Sequence, residues 1–563
     1  LYLKNMIRSV ISIMLSLSLV WADFPTAIGK NGAVTTSSKY ATDIGIEVLK
    51  NGGNAIDAAV AIGFALSVVF PNAGNLGGGG FMVIRFLDGE VTTIDFREVA
   101  PEFAYRDMFL DESGEVIKGK SWSTAFASGV PGTVAGLGYA HYKYGSKPWS
   151  SLLYPSINLA RDGFKLTYRD AMYLNQKHDF LLRDAEAAKI FASKERYGMD
   201  DLFIQSDLSK TLHRISQLGY HEFYMGKTAE LITKCMRRTK GIITATDLLN
   251  YNPVERKPIE FDYKGYKVYS MPPPSSGGIC LAEILNQIEH MDIQSMGYHS
   301  SSHIQAMVEA EKRAYSDRAE YMGDTDFVEV PIQTLISDEY AKKRISNYDP
   351  DSVIPSSDIK PGLESKQVES EETTHYSVVD KWGNAVSVTT TLNGKYGSGI
   401  VVDGAGFLLN NEMDDFSIKP GHPNAYGLVG NEANSIEPKK RMLSSMSPTI
   451  VENPEGSLFL VLGTPGGSTI ITTIAQIIVN IIDFRMNIED ATQAPRFHHQ
   501  WLPDIIFYEK NGFSLETLDE LQRRGYTVKQ KESIGEANCI QVSSQDIKFS
   551  SSDTRRGANA RAY

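Results

Sequence analysis

The hydrophobic positions in the first part of the chain predict helices followed by strands. Apolar residues recur with helical spacing over residues 37–66, which favours two helices in ATDIGIEVLK and AIDAAVAIGFALSVVF. The stretches FMVIRF and VTTIDF then predict two strands, and residues 129–344 are rich in helical patterns. The glycine run at 77–80 precedes a strand and lacks the GK[ST] letters of a phosphate-binding loop, so it favours close backbone packing.

The second part of the chain changes character after residue 372. Residues 351–372 lose periodicity and gain charge, serine and proline, which predicts an exposed, mobile segment. HYSVVD and AVSVTTTL then predict a hairpin around KWGN, and SPTIV and SLFLVL predict another around ENPEG. TPGGS leads from there into a long buried helix. Helices around a strand-rich second half predict an α+β fold with layers of both kinds.

Composition and charge exclude several classes of protein. The 563 residues are 42% hydrophobic and 22% charged, which is typical of globular proteins of several domains or one large unit. With 56 basic and 68 acidic side chains the net charge is −12, which disfavours nucleic acid as a partner. Cys235, Cys280 and Cys539 lie far apart and form neither a disulfide framework nor a metal-binding pair.

The N-terminal segment predicts export. Lys4 and Arg8 precede an uncharged run over residues 10–21, and Val20 and Ala22 have the spacing expected before a cleavage site. The apolar run is shorter than the roughly 20 residues of a membrane-spanning helix. We therefore expect a signal peptide over 1–22 and a periplasmic or secreted protein without a stable membrane span, with a buried N-terminal helix as the alternative.

Thr373 begins the first predicted strand after the acidic segment, directly after Glu372. A cut between these two residues would give the threonine a free α-amine within reach of its own hydroxyl. Such an amine has an ordinary pKa of about 7.7 to 8.0, so part of it can accept the hydroxyl proton at neutral pH. That arrangement is an N-terminal-threonine nucleophile. From the residues alone, a threonine that merely starts a strand stays an open alternative.

The motifs around Thr373 resemble those of the γ-glutamyltranspeptidase family of N-terminal-nucleophile hydrolases. TTHYSVVD, LLNNEMDDF, KRMLSSMSPTIV and TPGGS carry the resemblance, and upstream NAGNLGGGGF, IDFREVAP and PPPSSGGI extend it over nearly all of the chain after the signal segment. The resemblance implies a four-layer αββα sandwich. It also implies self-cleavage between Glu372 and Thr373 into a large subunit, 23–372, and a small subunit, 373–563, which form a heterodimer.

The resemblance also assigns the reacting groups. Thr373 matches the nucleophile, and Thr391 matches a threonine that helps to position or activate it. Gly466 and Gly467 open the helix after TPGGS, where backbone N–H groups without helical acceptors can hold a developing oxyanion. A tight strand-to-helix turn would need the same two glycines.

A γ-glutamyl donor carries an α-carboxylate and an α-ammonium, so its site should offer a cation and an anion. Arg97 matches the carboxylate-binding arginine, whose planar fork suits bidentate recognition. Asp415 matches the acid that binds the ammonium. The resemblance adds Ser444 and Ser445 on the carboxylate side, Asn393 and Glu412 on the ammonium side, and Tyr426 at the tip of a loop that covers the site in some family members.

The reaction implied is a two-step transfer without cofactor or metal. Thr373 takes the γ-glutamyl group from a donor such as glutathione or glutamine and passes it to water, an amino acid or a dipeptide. The C-terminal SSDTRRGANARAY departs from the family in having Thr554 where proline is usual, which bears on the anchoring of the tail.

Two alternatives remain from the sequence. A cephalosporin- or glutaryl-type acylase shares the fold and mechanism, but its substrate lacks the ammonium that Asp415 would bind. A non-catalytic exported binder of γ-glutamyl compounds would keep Arg97 and Asp415 without needing Thr373, Thr391 or the two glycines.

Overall fold

The computed structural model describes residues 26–362, 373–419 and 431–563. The predicted signal segment 1–22, Glu372 and Tyr426 lie outside these ranges. Within the ranges the strands are β1 (Thr26–Gly29), β2 (Ala33–Thr36), β3 (Gly79–Arg85), β4 (Val91–Asp95), β5 (Phe164–Lys165), β6 (Leu202–Phe203), β7 (Val254–Arg256), β8 (Ile259–Tyr263), β9 (Tyr266–Ser270), β10 (Thr374–Val379), β11 (Ala385–Thr391), β12 (Thr449–Glu452), β13 (Leu458–Leu462), β14 (Phe497–His498), β15 (Ile506–Glu509), β16 (Val528–Lys531), β17 (Asn538–Val542), β18 (Lys548–Ser552) and β19 (Asn559–Ala562).

The α-helices of the same ranges are α1 (Lys39–Lys50), α2 (Ala55–Val69), α3 (Thr133–Tyr144), α4 (Trp149–Asp162), α5 (Tyr168–Gln176), α6 (His178–Leu181), α7 (Ala185–Phe191), α8 (Ser206–Leu218), α9 (His221–Met225), α10 (Lys227–Thr239), α11 (Ala245–Asn250), α12 (Gly277–Glu289), α13 (Ile293–Met296), α14 (Ser301–Tyr321), α15 (Ile332–Leu335), α16 (Asp338–Ile345), α17 (Thr469–Ile482), α18 (Ile488–Gln493) and α19 (Leu515–Arg524). Short 3₁₀ turns occur at Ala125–Ala127, Glu412–Asp415 and Glu432–Asn434.

Two antiparallel sheets, each of seven strands in the described ranges, form the centre of the molecule. The first sheet has the order β19-β2-β10-β11-β3-β4-β7, and the second has the order β1-β18-β17-β13-β12-β9-β8. The predicted hairpins are confirmed: β10 pairs with β11, and β12 pairs with β13. Because sequence neighbours such as β10 and β11 are joined by short turns, local pairing accounts for the middle of each sheet.

The two sheets pack face to face between two helical layers. Val83 and Val379 of the first sheet share a buried cluster with Ile450, Val461 and Ile540 of the second. Helix α2 is buried along its whole length in the cluster that covers the outer face of the first sheet. Helices α12, α14 and α17 cover the second sheet in the same way. The predicted four-layer αββα sandwich is confirmed.

The sequence patterns explain why these helices form where they do. Helix α2 begins with a capping box in which Asn54 accepts from the Asp57 N–H group and Asp57 accepts from the Asn54 N–H group. Its interior is almost entirely Ala, Val, Ile, Leu and Phe, as expected for a helix enclosed on all sides. Helix α17 is also fully buried, and each isoleucine that it removes from water contributes about 1.5 to 3 kcal/mol.

The helix-rich middle of the chain also contains strands β7, β8 and β9, which the sequence patterns did not predict. The burial of β8 alternates, with Ile259, Phe261 and Tyr263 inward and the two residues between them exposed. The run is only five residues long and lies beside long helices, so its period of two is easily missed.

The described part of the predicted exposed segment, residues 351–362, is exposed at six positions and buried at two. Ser356 and Ile359 are buried. The Trp501 indole donates to the Ser356 carbonyl over 2.7 Å, and Asp317 accepts from the Gly362 N–H group over 2.6 Å. These contacts come from distant parts of the chain, which is why local composition gave no sign of them. Residues 363–372 lie outside the described ranges.

The strand ends bring distant residues to one edge of the sandwich. Thr373 directly precedes β10, and Thr391 ends the antiparallel partner β11 opposite Gly79. Arg97 follows β4 by two residues, while Gly466 and Gly467 lie between β13 and α17. No helix of the described ranges has the length and apolar character needed to cross a membrane.

The pairing of β2 yields a prediction about the two expected fragments. β2 lies before residue 372 and pairs with β10 on one side and β19 on the other, both of which follow Thr373. We therefore expect the cut fragments to elute together in native gel filtration and to separate on a denaturing gel. In a urea titration they should separate only in the transition that unfolds the sheets. Separation while the circular dichroism of the folded protein persists would contradict this.

Candidate active site

Thr373 lies at the meeting point of the two sheets. Its side chain is largely buried, and its Oγ1 accepts a hydrogen bond from the Gly466 N–H group over 3.2 Å. Thr391 borders the same cavity, and its Oγ1 accepts from the Asn393 N–H group over 2.7 Å. Thr373 therefore has a backbone donor at its hydroxyl and a second threonine nearby, while Glu372 lies outside the described residues.

The turn before α17 is shaped by its two glycines. Gly466 has φ of +136° and Gly467 has φ of +56°, a region that favours glycine. A Cβ atom at Gly466 would lie 2.4 Å from Thr469 Oγ1, so a side chain there would displace the first helical residue. N–H groups at a helix start have no helical acceptor and carry the positive end of the helix dipole. The turn thus presents backbone donors beside Thr373.

Arg97 is completely buried and has acidic partners on both sides. Its guanidinium donates to Glu412 and Asp415, and it also donates to the Met442 and Leu443 carbonyls over 3.2 and 3.1 Å. Glu412 and Asp415 both belong to the 3₁₀ turn after β11. The loop before β12 and this turn thereby hold the guanidinium plane in one orientation.

Burial and mutual repulsion change the ionisation of the carboxyl groups around Arg97. Burial raises the pKa of Glu98 to about 7, although Arg97 opposes the shift. Burial and the neighbouring Glu98 raise the pKa of Glu412 well above its ordinary value. Burial alone would lower the pKa of Arg97, but Glu412, Asp415 and Glu98 raise it above the ordinary value. The cluster therefore holds a permanent cation and fewer negative charges at neutral pH than its three carboxyl groups suggest.

The two residues predicted to bind the donor, Arg97 and Asp415, form a salt bridge with each other in this structure. The sequence predicts that Arg97 and Asp415 hold opposite charges of a donor, and the structure joins their side chains directly. Opposite charges attract strongly where water is excluded, which explains the pairing. Entry of a zwitterionic donor would replace this pair by two new ones, one at each residue.

Ser444 and Ser445 face the cavity from the loop before β12. The Met446 N–H group donates to Ser444 Oγ over 3.2 Å, and the Ser444 carbonyl accepts from both the N–H and the Oγ of Ser276, over 2.7 and 2.8 Å. Ser445 Oγ accepts from Arg318 over 3.2 Å. Each of the two hydroxyl oxygens accepts a hydrogen bond from a protein donor, so its own proton points away from that donor.

Asn393 has a left-handed backbone, with φ of +66°, and its side-chain amide donates to the Asn411 carbonyl over 2.9 Å. A non-glycine residue in this region is strained, and such strain is frequent at functional sites. The contact ties the end of β11 to the segment that carries Glu412 and Asp415.

One cavity joins nearly all the predicted site residues. It is lined by Arg97, Thr373, Thr391, Asn393, Glu412, Asp415, Ser444, Ser445, Met446, Gly467 and Ile470. Its volume is about 10 Å³, which is close to the least space that holds one water molecule. Tyr426 lies outside the described residues, and no cluster of metal-ligating side chains occurs in the parts of the chain that the structure describes.

The sequence analysis missed Glu98, Ser276 and Arg318. Glu98 follows Arg97 in the DFRE motif, so its position next to a predicted site residue could have identified it. Ser276 belongs to the PPPSSGGI motif, which predicted no contact. Arg318 lies inside the long helix α14, where a charge normally indicates a solvated face, and it is nevertheless buried.

The chain is similar to known proteins along most of its length. Residues 41–563 match the family model described as gamma-glutamyltranspeptidase. The chain is 51% identical over 528 residues to a glutathione hydrolase proenzyme of Escherichia coli K12, covering 93% of this chain and 90% of the relative. It is 45% identical over 538 residues to one of Pseudomonas aeruginosa, covering 93% and 94%.

The chain also resembles solved structures of a transpeptidase and an acylase. Gamma-glutamyltranspeptidase of Helicobacter pylori is 49% identical with a TM-score of 0.58, covering 58% of this chain and 95% of that one. Cephalosporin acylase of Bacillus halodurans is 25% identical with a TM-score of 0.84, covering 96% and 97%. The family model spans most of the chain, and the relative from Escherichia coli K12 is 51% identical to it. The chain therefore belongs to the γ-glutamyltranspeptidase family of N-terminal-nucleophile hydrolases.

Proposed function

We propose that this chain cuts itself between Glu372 and Thr373 and then works as a γ-glutamyltransferase and glutathione hydrolase. The observation that carries the proposal is the single cavity shared by Thr373, Arg97 and Asp415, with the Gly466 N–H group on the Thr373 hydroxyl. A nucleophile, an oxyanion donor and a pair of opposite charges lie together there. The family of the chain supports the same activity.

The mechanism follows from the groups around Thr373. Its Oγ1 attacks the γ-carbonyl carbon while its own α-amine takes the hydroxyl proton. The carbonyl oxygen becomes negative and accepts from the N–H groups of Gly466 and Gly467. The intermediate then expels the donor's amine, which leaves with that proton, and an ester remains on Thr373. Water or an amino acid attacks the ester carbon and gives a proton to the α-amine. The bond between that carbon and Oγ1 then breaks, the α-amine returns the proton to Oγ1, and the glutamyl product leaves.

Recognition of the donor uses the charges around Arg97. The α-carboxylate of the donor replaces one acid on the Arg97 guanidinium and accepts from Ser444 and Ser445. The α-ammonium binds Asp415, with Glu412 and Asn393 beside it. Both ends of the zwitterion exchange water for buried partners, so the reacting carbonyl is held at one distance from Thr373.

The maturation we propose gives a heterodimer. Residues 1–22 act as a secretory signal, 23–372 form the large subunit and 373–563 form the small subunit. The mature protein is exported to the periplasm or secreted, and it acts on small γ-glutamyl compounds such as glutathione and glutamine. N-terminal sequencing should find Asp23 and Thr373 as the first residues of the two subunits.

A cephalosporin- or glutaryl-type acylase is the second candidate, because the acylase of Bacillus halodurans has the same fold. Asp415 favours the transpeptidase, since a glutaryl group has no ammonium for it to bind. A non-catalytic binder would give one band on a denaturing gel, and the enzyme proposed here gives two.

We predict that Thr373→Ala abolishes both scission and turnover. The variant lacks the attacking oxygen, so it should stay a single chain, and kcat on γ-glutamyl-4-nitroanilide should fall by about a thousandfold or more. Thr373→Ser is the matched control, because it keeps a hydroxyl and an α-amine, and it should be cut and retain measurable activity. An active, uncut wild-type chain would contradict the proposal, as would normal turnover by Thr373→Ala with an unchanged melting temperature.

We predict that Asp415→Asn selectively weakens donors with an α-amine. Loss of a buried charge partner costs about 2 kcal/mol or more, so KM for γ-glutamyl-4-nitroanilide should rise by about thirtyfold. The competitive inhibition constant of glutaryl-4-nitroanilide, which lacks the amine, should change by less than about threefold.

Asp414→Asn is the control for that measurement. Asp414 is the buried neighbour of Asp415, and it accepts from Ser121 over 2.5 Å. Its replacement should affect both compounds alike, through the position of the 3₁₀ turn. An equal loss for both compounds in Asp415→Asn would remove the assignment of Asp415 to the ammonium.

A further inference from the structure

The loop at residues 533–537, between β16 and β17, is held by buried ionic groups. The Ile534 N–H group donates to Glu509 over 2.6 Å, and Arg496 donates to the Ile534 carbonyl over 2.7 Å. The Ala537 N–H group donates to Asp553 over 3.0 Å, and Asp553 pairs with Arg496 over 2.8 Å. Fixed at both ends, this loop is a rigid support for whatever it contacts.

One side of the loop contacts the turn with the two glycines. The Glu536 N–H group donates to Thr464 Oγ1 over 2.8 Å, and Thr464 Oγ1 donates to the Pro465 carbonyl over 2.8 Å. Pro465 is joined to Gly466. A Cβ atom built at Gly466 would lie 3.5 Å from Gly535 Cα, which is ordinary van der Waals distance, so the loop lies directly beside the turn.

The other side of the loop contacts the strand that Thr373 directly precedes. The Glu536 carboxylate accepts from Arg169 over 2.6 Å and from Ser37 Oγ over 3.5 Å. Ser37 Oγ in turn accepts from Thr374 Oγ1 over 3.1 Å. Arg169 also donates to the Ser37 carbonyl, so Glu536 and Arg169 together hold the residue whose hydroxyl receives Thr374. All of these groups are buried or nearly so.

We propose that Glu536 and Thr464 are positioning residues that set the distance between Thr373 Oγ1 and the Gly466 N–H group. The inference rests on the proposed function, in which Thr373 is the nucleophile and Gly466 holds the oxyanion. The Glu536 carboxylate is linked to the nucleophile strand through Ser37, and its backbone N–H group is linked to the glycine turn through Thr464. Neither residue borders the cavity, so both act on the reaction only through the groups they hold.

The physical reason is the steep dependence of catalysis on this geometry. Loss of one oxyanion donor lowers kcat by about a hundredfold to a thousandfold, and a displacement of about 1 Å can cost about a hundredfold. The nucleophile and the turn adjoin strands of different sheets. Other polar contacts between the sheets exist, such as the one from the Asn538 amide to the His375 carbonyl over 3.1 Å, but the links through Thr464 and Glu536 act at the turn itself. A shift of the turn would reduce the stabilisation of the transition state. It would leave the contacts between Arg97 and the donor unchanged.

The test compares Thr464→Val with Thr464→Ser. Valine keeps the shape but removes both hydrogen bonds of the hydroxyl, whereas serine keeps them. We expect kcat on γ-glutamyl-4-nitroanilide to fall by about ten- to a hundredfold in Thr464→Val, with KM changed by less than about threefold. Thr464→Ser should stay within about threefold of the wild type in both constants.

A second variant tests the same inference if Thr464→Val does not fold. Glu536→Gln keeps the loop backbone and an acceptor oxygen but weakens the hold on Arg169 and Ser37, so kcat should fall by about three- to tenfold at unchanged KM. The inference is overturned by unchanged kcat in the folded variants, by equal losses in the valine and serine forms, or by a loss confined to KM. An inactive wild-type enzyme, or an active Thr373→Ala, would overturn the proposed function instead.

Discussion

The hydrogen bond from the Gly466 N–H group to Thr373 Oγ1 joins the two sheets at the site. Thr373 directly precedes β10 in the first sheet, and Gly466 follows β13 in the second. This hydrogen bond therefore forms only when the two sheets are packed face to face in one relative position. The buried cluster of Val83, Val379 and Val461 sets that displacement roughly, because apolar packing is not directional. Polar links between the sheets supply the directional part.

The ionic cluster around Arg97 explains why such a site can be buried and still specific. A guanidinium inside a protein is stable only with close acidic partners, and Arg97 has Glu412 and Asp415. If Arg97 and Asp415 bind the donor as proposed, a donor that carries both charges can substitute for each partner, whereas a molecule with one charge leaves the other unpaired. The cost of an unpaired buried charge would then discriminate between substrates.

Local patterns were enough to predict the hairpins, the helices α2 and α17 and the place of Thr373 at a strand start. Periodicity and turn residues act over a few neighbours, and these elements depend on such neighbours. The pairing of β2 with β10 and β19 joins residues hundreds of positions apart, and no local pattern specifies it. The resemblance to a family supplied the residues of the site. It did not show that Arg97 and Asp415 bond to each other, nor that Arg318 is buried beside Ser445.

The same long-range pairing bears on the order of maturation. The groups around Thr373 come from segments near residues 97, 391, 415, 444 and 466, which meet only in the folded sandwich. A scission that uses those groups must follow folding. Once folded, β2 holds β10 and β19 by backbone hydrogen bonds on both edges, and these bonds do not involve the peptide at residues 372–373. Under the proposed maturation, cutting that peptide would leave the sheet ladders intact and would release an α-amine next to the Thr373 hydroxyl, where the proposed nucleophile needs a base.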